Sequence, residues 1–321
     1  ATRSTAGCAL TVHDPPRGAG QQTPRRPSTS TRGMRRAPRA HGAAGVSPAT
    51  RYDRDGYALH QGLIPKASLG RLTNTVTRIH DQWLQEQGAQ ASAQDLVNSH
   101  SLTASRYFRD GEATERGDFF DALADPAIVG FLTPIFGDGL YFHGTQLFFN
   151  PQGGARQPYW HRDIQYMGLA EEAQRALLAD LCQLHVRIPL RPERDFLLVP
   201  GSHTRWDTAL EYDVRLERSG HRSSDELPQA RAFNLAPGDV LVFSAHMLHR
   251  GTYSGNDNRL SLDLLLGKPH PRVPLALDAD QMPGTPEIGR IRCPCWYIES
   301  LKLLRPADDP ELAATGGRNP L

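Results

Sequence analysis

The spacing of apolar positions changes about 140 residues into the chain. Between residues 67 and 87, and again between 118 and 135, apolar side chains recur every three or four positions, which predicts helices. The second helical stripe is interrupted near Pro126, because proline cannot continue a helix interior. From Gly139 onward, short apolar and aromatic runs separated by turn residues indicate β-strands.

The predicted strands follow one another without regular helical alternation. They lie at residues 140–150, around Trp160, and at 182–190, 195–200, 231–235, 239–245, 247–252 and 258–266. Short helices are predicted at 169–181 and near 296–304, a turn, a strand and a turn at 51–65, and irregular structure at 90–113. The absence of repeated βα units excludes a Rossmann fold or a TIM barrel. A mainly β jelly roll, the double-stranded β-helix of cupins, with helices packed outside is therefore predicted.

The two ends of the chain lack the apolar residues that a core needs. Residues 1–50 are rich in Arg, Pro and Ser and are predicted to be a disordered tail, leaving one folded domain at 51–305 and a flexible C-terminus at 306–321. A transit peptide, upstream sequence with a native start at Met34, and a nucleic-acid-binding arm are alternatives for the tail.

Charge and cysteine content narrow the functional classes. Residues 1–50 carry eight Arg and one acid, a net charge of +7, and the whole chain carries +1, so residues 51–321 carry −6. This balance argues against a nucleic-acid-binding body. No apolar run approaches a membrane span, and the four cysteines form no metal or redox motif. We expect a cytoplasmic protein with free thiols and a small-molecule substrate, with no nucleic-acid or membrane partner; the sequence does not indicate its oligomeric state.

The sequence His161-Arg162-Asp163 carries the first candidate chemistry. On a β-strand, residues two apart share a face, so the imidazole and the carboxylate can reach one ion. A third ligand is available downstream, where either His246 or His249 follows a predicted strand. Two histidines and one carboxylate leave coordination positions open, as non-haem iron oxygenases require.

Arg259 follows His249 by ten residues and opens a largely apolar strand. A buried guanidinium is costly unless it is paired, and a carboxylate ligand would pair it through two hydrogen bonds. The spacing to Arg259 favours His249 over His246 as the third metal ligand.

These motifs, in this order, resemble the phytanoyl-CoA dioxygenase family of Fe(II)/2-oxoglutarate-dependent oxygenases. The matching features are His161-Arg-Asp163, Pro200-Gly-Ser-His203, Pro237-Gly-Asp239 with the strand after it, His249 and Arg259, and the opening Asp55-Gly-Tyr. The resemblance covers roughly residues 52–268. It implies a double-stranded β-helix in which His161, Asp163 and His249 hold iron and form the catalytic centre.

The resemblance also implies a cosubstrate site and a reaction. Arg259 would bind the distal carboxylate of 2-oxoglutarate, and Gln146, Asn150 and Thr252 would lie near the cosubstrate. The family uses O2 to oxidise a C–H bond and releases succinate and CO2. Related halogenases have a small residue at the position of Asp163, so this carboxylate implies hydroxylation, although desaturation, epoxidation and ring formation use the same ligands.

Three further residues are candidates for contact with the substrate. His185 and Arg187 share one face of a predicted strand, and that face either lines the barrel, where it would meet an anionic substrate group, or lies on an exposed edge strand. Tyr159 either lines the pocket or packs. The predicted substrate is a small metabolite or a natural-product scaffold. A metal-dependent cupin enzyme of another class and a catalytically silent binding module are the alternative functions.

Overall fold

The computed structural model describes residues 46–87, 97–108, 113–151, 156–275 and 277–304. The chain divides into two units, Ala1–Ser47 and Pro48–Leu321, and the first is described only at Val46 and Ser47. Positions 1–45 of the tail predicted at 1–50, and all of the flexible C-terminus predicted at 306–321, therefore lie outside the described residues. Everything that follows concerns the second unit.

The described part of this unit contains nine strands and eight α-helices. The strands are β1 Tyr57–His60, β2 Asn98–His100, β3 Tyr141–Phe149, β4 Gln183–Pro189, β5 Glu193–Leu198, β6 Arg231–Leu235, β7 Val240–Ser244, β8 His249–Arg250 and β9 Leu260–Gly267. The α-helices are α1 Pro48–Asp55, α2 Lys66–Gln87, α3 Ala113–Leu123, α4 Pro126–Phe136, α5 Glu171–Leu177, α6 Ala209–Arg215, α7 Thr285–Ile288 and α8 Cys295–Leu304. Short 3₁₀ helices occur at Ser105–Tyr107, Asp163–Tyr166 and Ala279–Gln281.

Two antiparallel sheets form the core. The larger has the strand order β1-β7-β4-β9-β3-β2, and the smaller has the order β6-β5-β8. Crossovers between strands distant in sequence, such as β4 beside β9, give the jelly-roll topology that the strand pattern predicts. The predicted fold class is therefore confirmed.

The large sheet buries both faces, but with different partners. Its outer face is aliphatic and packs with the helices around a single apolar cluster that includes Leu72, Val76, Phe120, Leu132, Val186, Leu262 and Leu264. Its inner face meets the small sheet, and on the β1 and β7 side that space is apolar, filled by Tyr57, Phe196, Leu198, Phe233, Leu241 and Phe243. Towards β4, β9 and β3 the inner face becomes polar, and the candidate site lies there.

The predicted interruption at Pro126 separates two helices. Asp125 caps α4, since its Oδ1 accepts a hydrogen bond of 2.9 Å from the backbone N–H of Ala127, while its Oδ2 accepts one of 2.6 Å from Ser68 of α2. Aspartate followed by proline at the first helical position is a typical helix start. Within the described residues, no single helix is long and apolar enough to cross a membrane; α3 and α4 meet those criteria only as a pair bent by 42°.

Several local predictions are wrong. Helix α1 covers Pro48–Asp55, where the sequence predicts the end of the disordered tail at 48–50 and a turn from residue 51. Tyr52 packs edge-on against Phe136 at 4.6 Å, and Gly56 ends the helix with a φ of 82°. The irregular stretch before α3 contains β2, which pairs with β3. Helix α6 lies in a segment with no predicted structure. Cys182, Cys293 and Cys295 are free thiols, as predicted.

Candidate metal centre

The backbone brings His161 and His249 side by side. Each donates its N–H to the carbonyl of the other, at 3.1 and 3.0 Å, as an isolated antiparallel bridge. The chain does not continue as the predicted strand, because it turns at once into the 3₁₀ helix that starts at Asp163. The Asp163 N–H donates to the carbonyl of Ala245 at 2.9 Å, which fixes the turn.

Three candidate ligand side chains converge at this bridge. One ligand atom each of His161, Asp163 and His249 lies within 4.8 Å of the others. Asp163 Oδ1 is 3.8 Å from His161 Nε2 and 3.6 Å from His249 Nε2. Two imidazole nitrogens and one carboxylate oxygen at these separations suit a divalent transition metal with open coordination positions.

The two histidines are held with one nitrogen turned towards the metal position. His161 Nδ1 donates to the carbonyl of Tyr159 at 3.2 Å, and His249 Nδ1 donates to the carbonyl of Met247 at 3.0 Å. A protonated Nδ1 leaves the Nε2 lone pair free, which is how ligating histidines are oriented in metal sites. Burial lowers the pKa of both imidazoles, so both are in the neutral form that binds metal.

Asp163 uses its second oxygen for another contact. Its Oδ2 accepts a hydrogen bond of 2.7 Å from His185 Nε2. Burial would raise the pKa of Asp163, but the hydrogen bond and the charge of His185 outweigh that effect and lower the pKa. The carboxylate therefore presents Oδ1 to the two histidine ligands and Oδ2 to His185.

A buried charged network continues from His185 along the inner face. Its Nδ1 donates to Asp263 Oδ2 at 2.8 Å, and Arg187 binds Asp263 through two hydrogen bonds of 2.8 and 3.0 Å. Glu193 Oε1 then lies 3.5 Å from Arg187 Nη1 and 3.5 Å from Arg259 Nη1. The signs alternate from Asp163 to Arg259, so each buried charge has a neighbour of opposite sign, as low-dielectric surroundings require.

His185 is the centre of this network. Burial lowers the pKa of an imidazole, but the hydrogen bonds and charges of Asp163 and Asp263 outweigh burial and raise the pKa of His185 to about 9. The alternative of an exposed edge strand is wrong, because β4 is flanked by β7 and β9 and His185 is buried. Contact of His185 and Arg187 with a substrate stays a prediction; the structure shows both bound to carboxylates of the protein.

Arg259 has the donors that a carboxylate anchor needs. Its Nη2 donates to the carbonyl of Phe149 at 3.0 Å, and its guanidinium lies over the ring of Tyr253 at 5.2 Å. Its Nε has no hydrogen-bond partner among the described residues, and its ion contact with Glu193 is long. A buried guanidinium with an unused donor fits the distal carboxylate of 2-oxoglutarate.

The other predicted cosubstrate residues lie on the polar half of the inner face or at its border. Gln146 is buried, with its Nε2 3.4 Å from His100 Nε2. Asn150 donates to the carbonyl of Tyr253 at 2.7 Å, which places it beside the ring that covers Arg259. Thr252 donates its hydroxyl to the carbonyl of Asp195 at 2.8 Å. Their roles towards 2-oxoglutarate remain predictions.

Tyr159 is half-buried with its ring centroid 4.9 Å from that of His161. His246, the competing third ligand, points elsewhere: it is fully buried, and neither ring nitrogen has a hydrogen-bond partner among the described residues. The group that could hold a metal contains His249 and not His246.

Arg162 was not predicted to matter, yet it holds the ligand segment in place. It is fully buried and donates to Asp207 Oδ1 at 2.8 Å and to the carbonyl of His246 at 2.7 Å. It also donates to the carbonyls of Ser202 and Arg205. The sequence did contain an indication of this role. Arg162 lies between two residues whose side chains face the metal site, so its own side chain must point to the opposite side, into the protein.

The family model described as Phytanoyl-CoA dioxygenase (PhyH) matches residues 52–259. No curated protein sequence matches. Similar solved structures include AviO1 from Streptomyces viridochromogenes Tue57, with 18% identity, a TM-score of 0.49, and 71% of this chain and 95% of that chain covered.

Two further solved structures have comparable sequence identities and TM-scores. The non-haem alpha ketoglutarate dependent carbocyclase SnoK from nogalamycin biosynthesis has 16% identity and a TM-score of 0.47, with 69% of this chain and 83% of that chain covered. EctD from S. alaskensis with bound Fe has 16% identity and a TM-score of 0.44, with 71% and 80% covered.

Proposed function

This chain belongs to the phytanoyl-CoA dioxygenase family of Fe(II)/2-oxoglutarate-dependent oxygenases, and on that premise we propose that it hydroxylates an unactivated C–H bond of a small organic molecule. The observation that carries the proposal is the set of three ligand atoms within 4.8 Å of one another, joined through one buried network to the guanidinium of Arg259. When bound, iron and 2-oxoglutarate supply O2 activation coupled to decarboxylation, with succinate and CO2 as co-products.

The protein residues have separate tasks in this reaction. His161, Asp163 and His249 hold the metal and leave its remaining positions to the cosubstrate and O2. Arg259 binds the distal carboxylate of 2-oxoglutarate and so orients the keto acid end towards the metal. The apolar half of the inner face, around Phe243, borders the site at His185 and His249 and limits the access of water.

Asp163 favours oxygen insertion over halogenation. Its Oδ1 lies at the third ligand position, which related halogenases leave to a halide. The same ligand set serves desaturation, epoxidation and ring formation, so the fate of the substrate depends on how its C–H bond is presented.

The proposed substrate is a small metabolite or a natural-product scaffold. Residues 51–321 carry a net charge of −6, which does not favour a polyanionic acyl-CoA thioester over a smaller, less charged molecule. The phosphates of coenzyme A would need a cationic surface to offset their charge.

The first experiment measures succinate formation by iron-loaded protein supplied with 2-oxoglutarate and O2. Succinate formation without substrate, stimulated further by a member of a natural-product panel, is the expected result, and an Asp163→Ala variant is the control. Mass spectrometry of the product distinguishes gain of an oxygen atom from loss of two hydrogens. Iron-loaded protein that neither binds 2-oxoglutarate nor forms succinate would contradict the proposal.

A further inference from the structure

The second oxygen of Asp163 already accepts a short hydrogen bond from His185, and this hydrogen bond limits how the carboxylate can bind a metal. We propose that His185 is a positioning residue that restricts Asp163 to one metal bond and thereby preserves the coordination position that 2-oxoglutarate requires. This inference rests on the proposed function, since it concerns how the same site accepts its cosubstrate.

The two carboxylate oxygens of Asp163 face different groups. Oδ1 lies 3.8 and 3.6 Å from the Nε2 atoms of His161 and His249, whereas Oδ2 lies 2.7 Å from His185 Nε2. Carboxylates bind metals through one or both oxygens. A charge-assisted hydrogen bond on Oδ2 competes with a second metal bond, because that oxygen would have to give up a short contact.

His185 cannot easily follow Asp163 towards a metal. Its Nδ1 is bound to Asp263 Oδ2 at 2.8 Å, and its ring is stacked on Phe243, with centroids 5.0 Å apart and an interplanar angle of 10°. Asp263 is fully buried and is held by two hydrogen bonds from Arg187. Rotation of the imidazole would therefore break two charge-assisted hydrogen bonds and an aromatic contact.

The strand register explains why the contact is rigid. In the large sheet, Arg187 of β4 lies directly opposite Asp263 of β9, and His185 lies opposite Leu265 two residues along. Successive inward positions on neighbouring strands are held at fixed spacing by the backbone hydrogen bonds. The donor of the hydrogen bond to Asp163 is therefore held in place by the sheet, whereas the acceptor, Asp163, lies on a 3₁₀ helix.

A second metal bond from Asp163 would occupy a position that the cosubstrate or O2 needs. When bound, the keto acid end of 2-oxoglutarate would take two positions on the metal, and O2 would need another. Loss of His185 should therefore weaken 2-oxoglutarate binding while metal binding itself survives, because a carboxylate that binds through both oxygens is still a good ligand.

The test compares His185→Phe with His185→Gln. Phenylalanine keeps the stack on Phe243 and removes the hydrogen bonds to both Asp163 and Asp263, whereas the glutamine amide can still donate to Asp163 Oδ2. Anaerobic calorimetry with Mn(II), followed by 2-oxoglutarate, gives both dissociation constants for each variant. We expect His185→Phe to bind Mn(II) within about threefold of the wild type but 2-oxoglutarate roughly 10–100-fold more weakly, comparable to the loss of activity when residues that orient metal ligands are replaced.

His185→Gln should bind 2-oxoglutarate within about threefold of the wild type, because glutamine keeps a hydrogen-bond donor for Asp163 Oδ2. A purely structural role for His185 would instead lower Mn(II) and 2-oxoglutarate affinity together in both variants. The inference is overturned if His185→Phe binds 2-oxoglutarate as the wild type does, or if the two variants lose it equally.

Asp263→Asn provides an independent variant if His185→Phe does not fold. The amide oxygen still accepts from His185, but the hydrogen bond becomes weaker because the acceptor is no longer charged. We expect 2-oxoglutarate affinity to fall by about threefold to tenfold with Mn(II) affinity kept, and unchanged 2-oxoglutarate affinity would count against the inference. Wild-type protein that binds Mn(II) but no 2-oxoglutarate would refute the proposed function itself, before any variant is compared.

Discussion

Arg162 and Asp207 form an ion pair of 2.8 Å in which neither side chain has any exposed surface. Arg162 stands between the ligands His161 and Asp163, and Asp207 lies on the segment that leads into α6. Asp207 also accepts from Arg215 of that helix at 2.7 Å. The position of the metal-binding turn thus depends on a salt bridge whose two side chains are not themselves metal ligands.

Arg162→Met should lower both the free energy of unfolding and the affinity for metal. Removal of one partner from a buried ion pair typically costs roughly 3–5 kcal/mol, and the loss here should be about 3 kcal/mol because Asp207 keeps Arg215. Urea denaturation measures the free energy of unfolding, and Mn(II) titration measures the metal affinity.

Lys302→Met is the matched control for Arg162→Met. Lys302 pairs with Glu299 at 2.7 Å on the surface of α8, where such pairs contribute less than about 1 kcal/mol. Equal destabilisation by the two variants, or an unchanged metal affinity in Arg162→Met, would show that the buried pair does not hold the turn.

The sequence was sufficient for the elements that depend on local pattern. Helices α2 and α4 follow from apolar spacing and from the Asp125-Pro126 start, and the ligand set follows from the short separation between His161 and Asp163 and the spacing of His249 to Arg259. Helix α6 also had a local signal, since Thr208 and Glu211 form a capping box, the pattern of a hydroxyl residue followed three positions later by a glutamate.

The network around His185 depended on information that the sequence does not hold. Its bonds to Asp163 and Asp263 join residues 22 and 78 positions away, and they form only because β4 lies between β7 and β9. Strand order is set by the packing of the whole sheet and not by the pattern within one strand. The opposite charges of Arg187 and Asp263 on the polar faces of two strands were the one available indication of their contact.

His249→Ala should abolish metal binding, whereas His246→Leu should leave it intact. His249 Nε2 is one of the three converging ligand atoms, and its loss leaves two protein ligands. His246 contributes no ring nitrogen to a hydrogen bond within the described chain, so leucine removes no such bond, and stability should change by less than about 1.5 kcal/mol. Mn(II) titration measures the metal affinity of both variants, and circular dichroism checks that they are folded. Loss of Mn(II) affinity in folded His246→Leu would instead assign His246 as the third ligand.

Glu211 should make the protein sensitive to acid. Burial would raise the pKa of Glu211, but hydrogen bonds from Arg205 and from the Thr208 N–H outweigh burial and hold the pKa below its usual value of 4.5. Because the folded-state pKa is the lower one, the unfolded chain takes up a proton first. The stabilisation is therefore fully present above about pH 4.5 and is lost as the pH falls through the folded-state pKa.

Glu211→Gln should thus be less stable than the wild type at pH 7 and should lose less stability between pH 7 and pH 3.5. Urea denaturation across this range measures both quantities. Glu172→Gln, at an exposed position of α5, is the control. Its free energy of unfolding should change with pH in parallel with that of the wild type. Parallel curves for Glu211→Gln would show that this carboxylate does not contribute to the acid response.

Arg259→Met should separate cosubstrate binding from metal binding. Hydrogen bonds to charged groups contribute about 1.5–3 kcal/mol, which corresponds to a roughly 10–100-fold increase in the 2-oxoglutarate dissociation constant. Mn(II) affinity should change little, because in the described part of the chain Arg259 is separated from Asp163 by Glu193, Arg187, Asp263 and His185. Arg116→Met is the control, since Arg116 pairs with Glu287 at 3.1 Å between α3 and α7 and should affect stability alone. Unchanged 2-oxoglutarate affinity in Arg259→Met would place the carboxylate anchor at another residue.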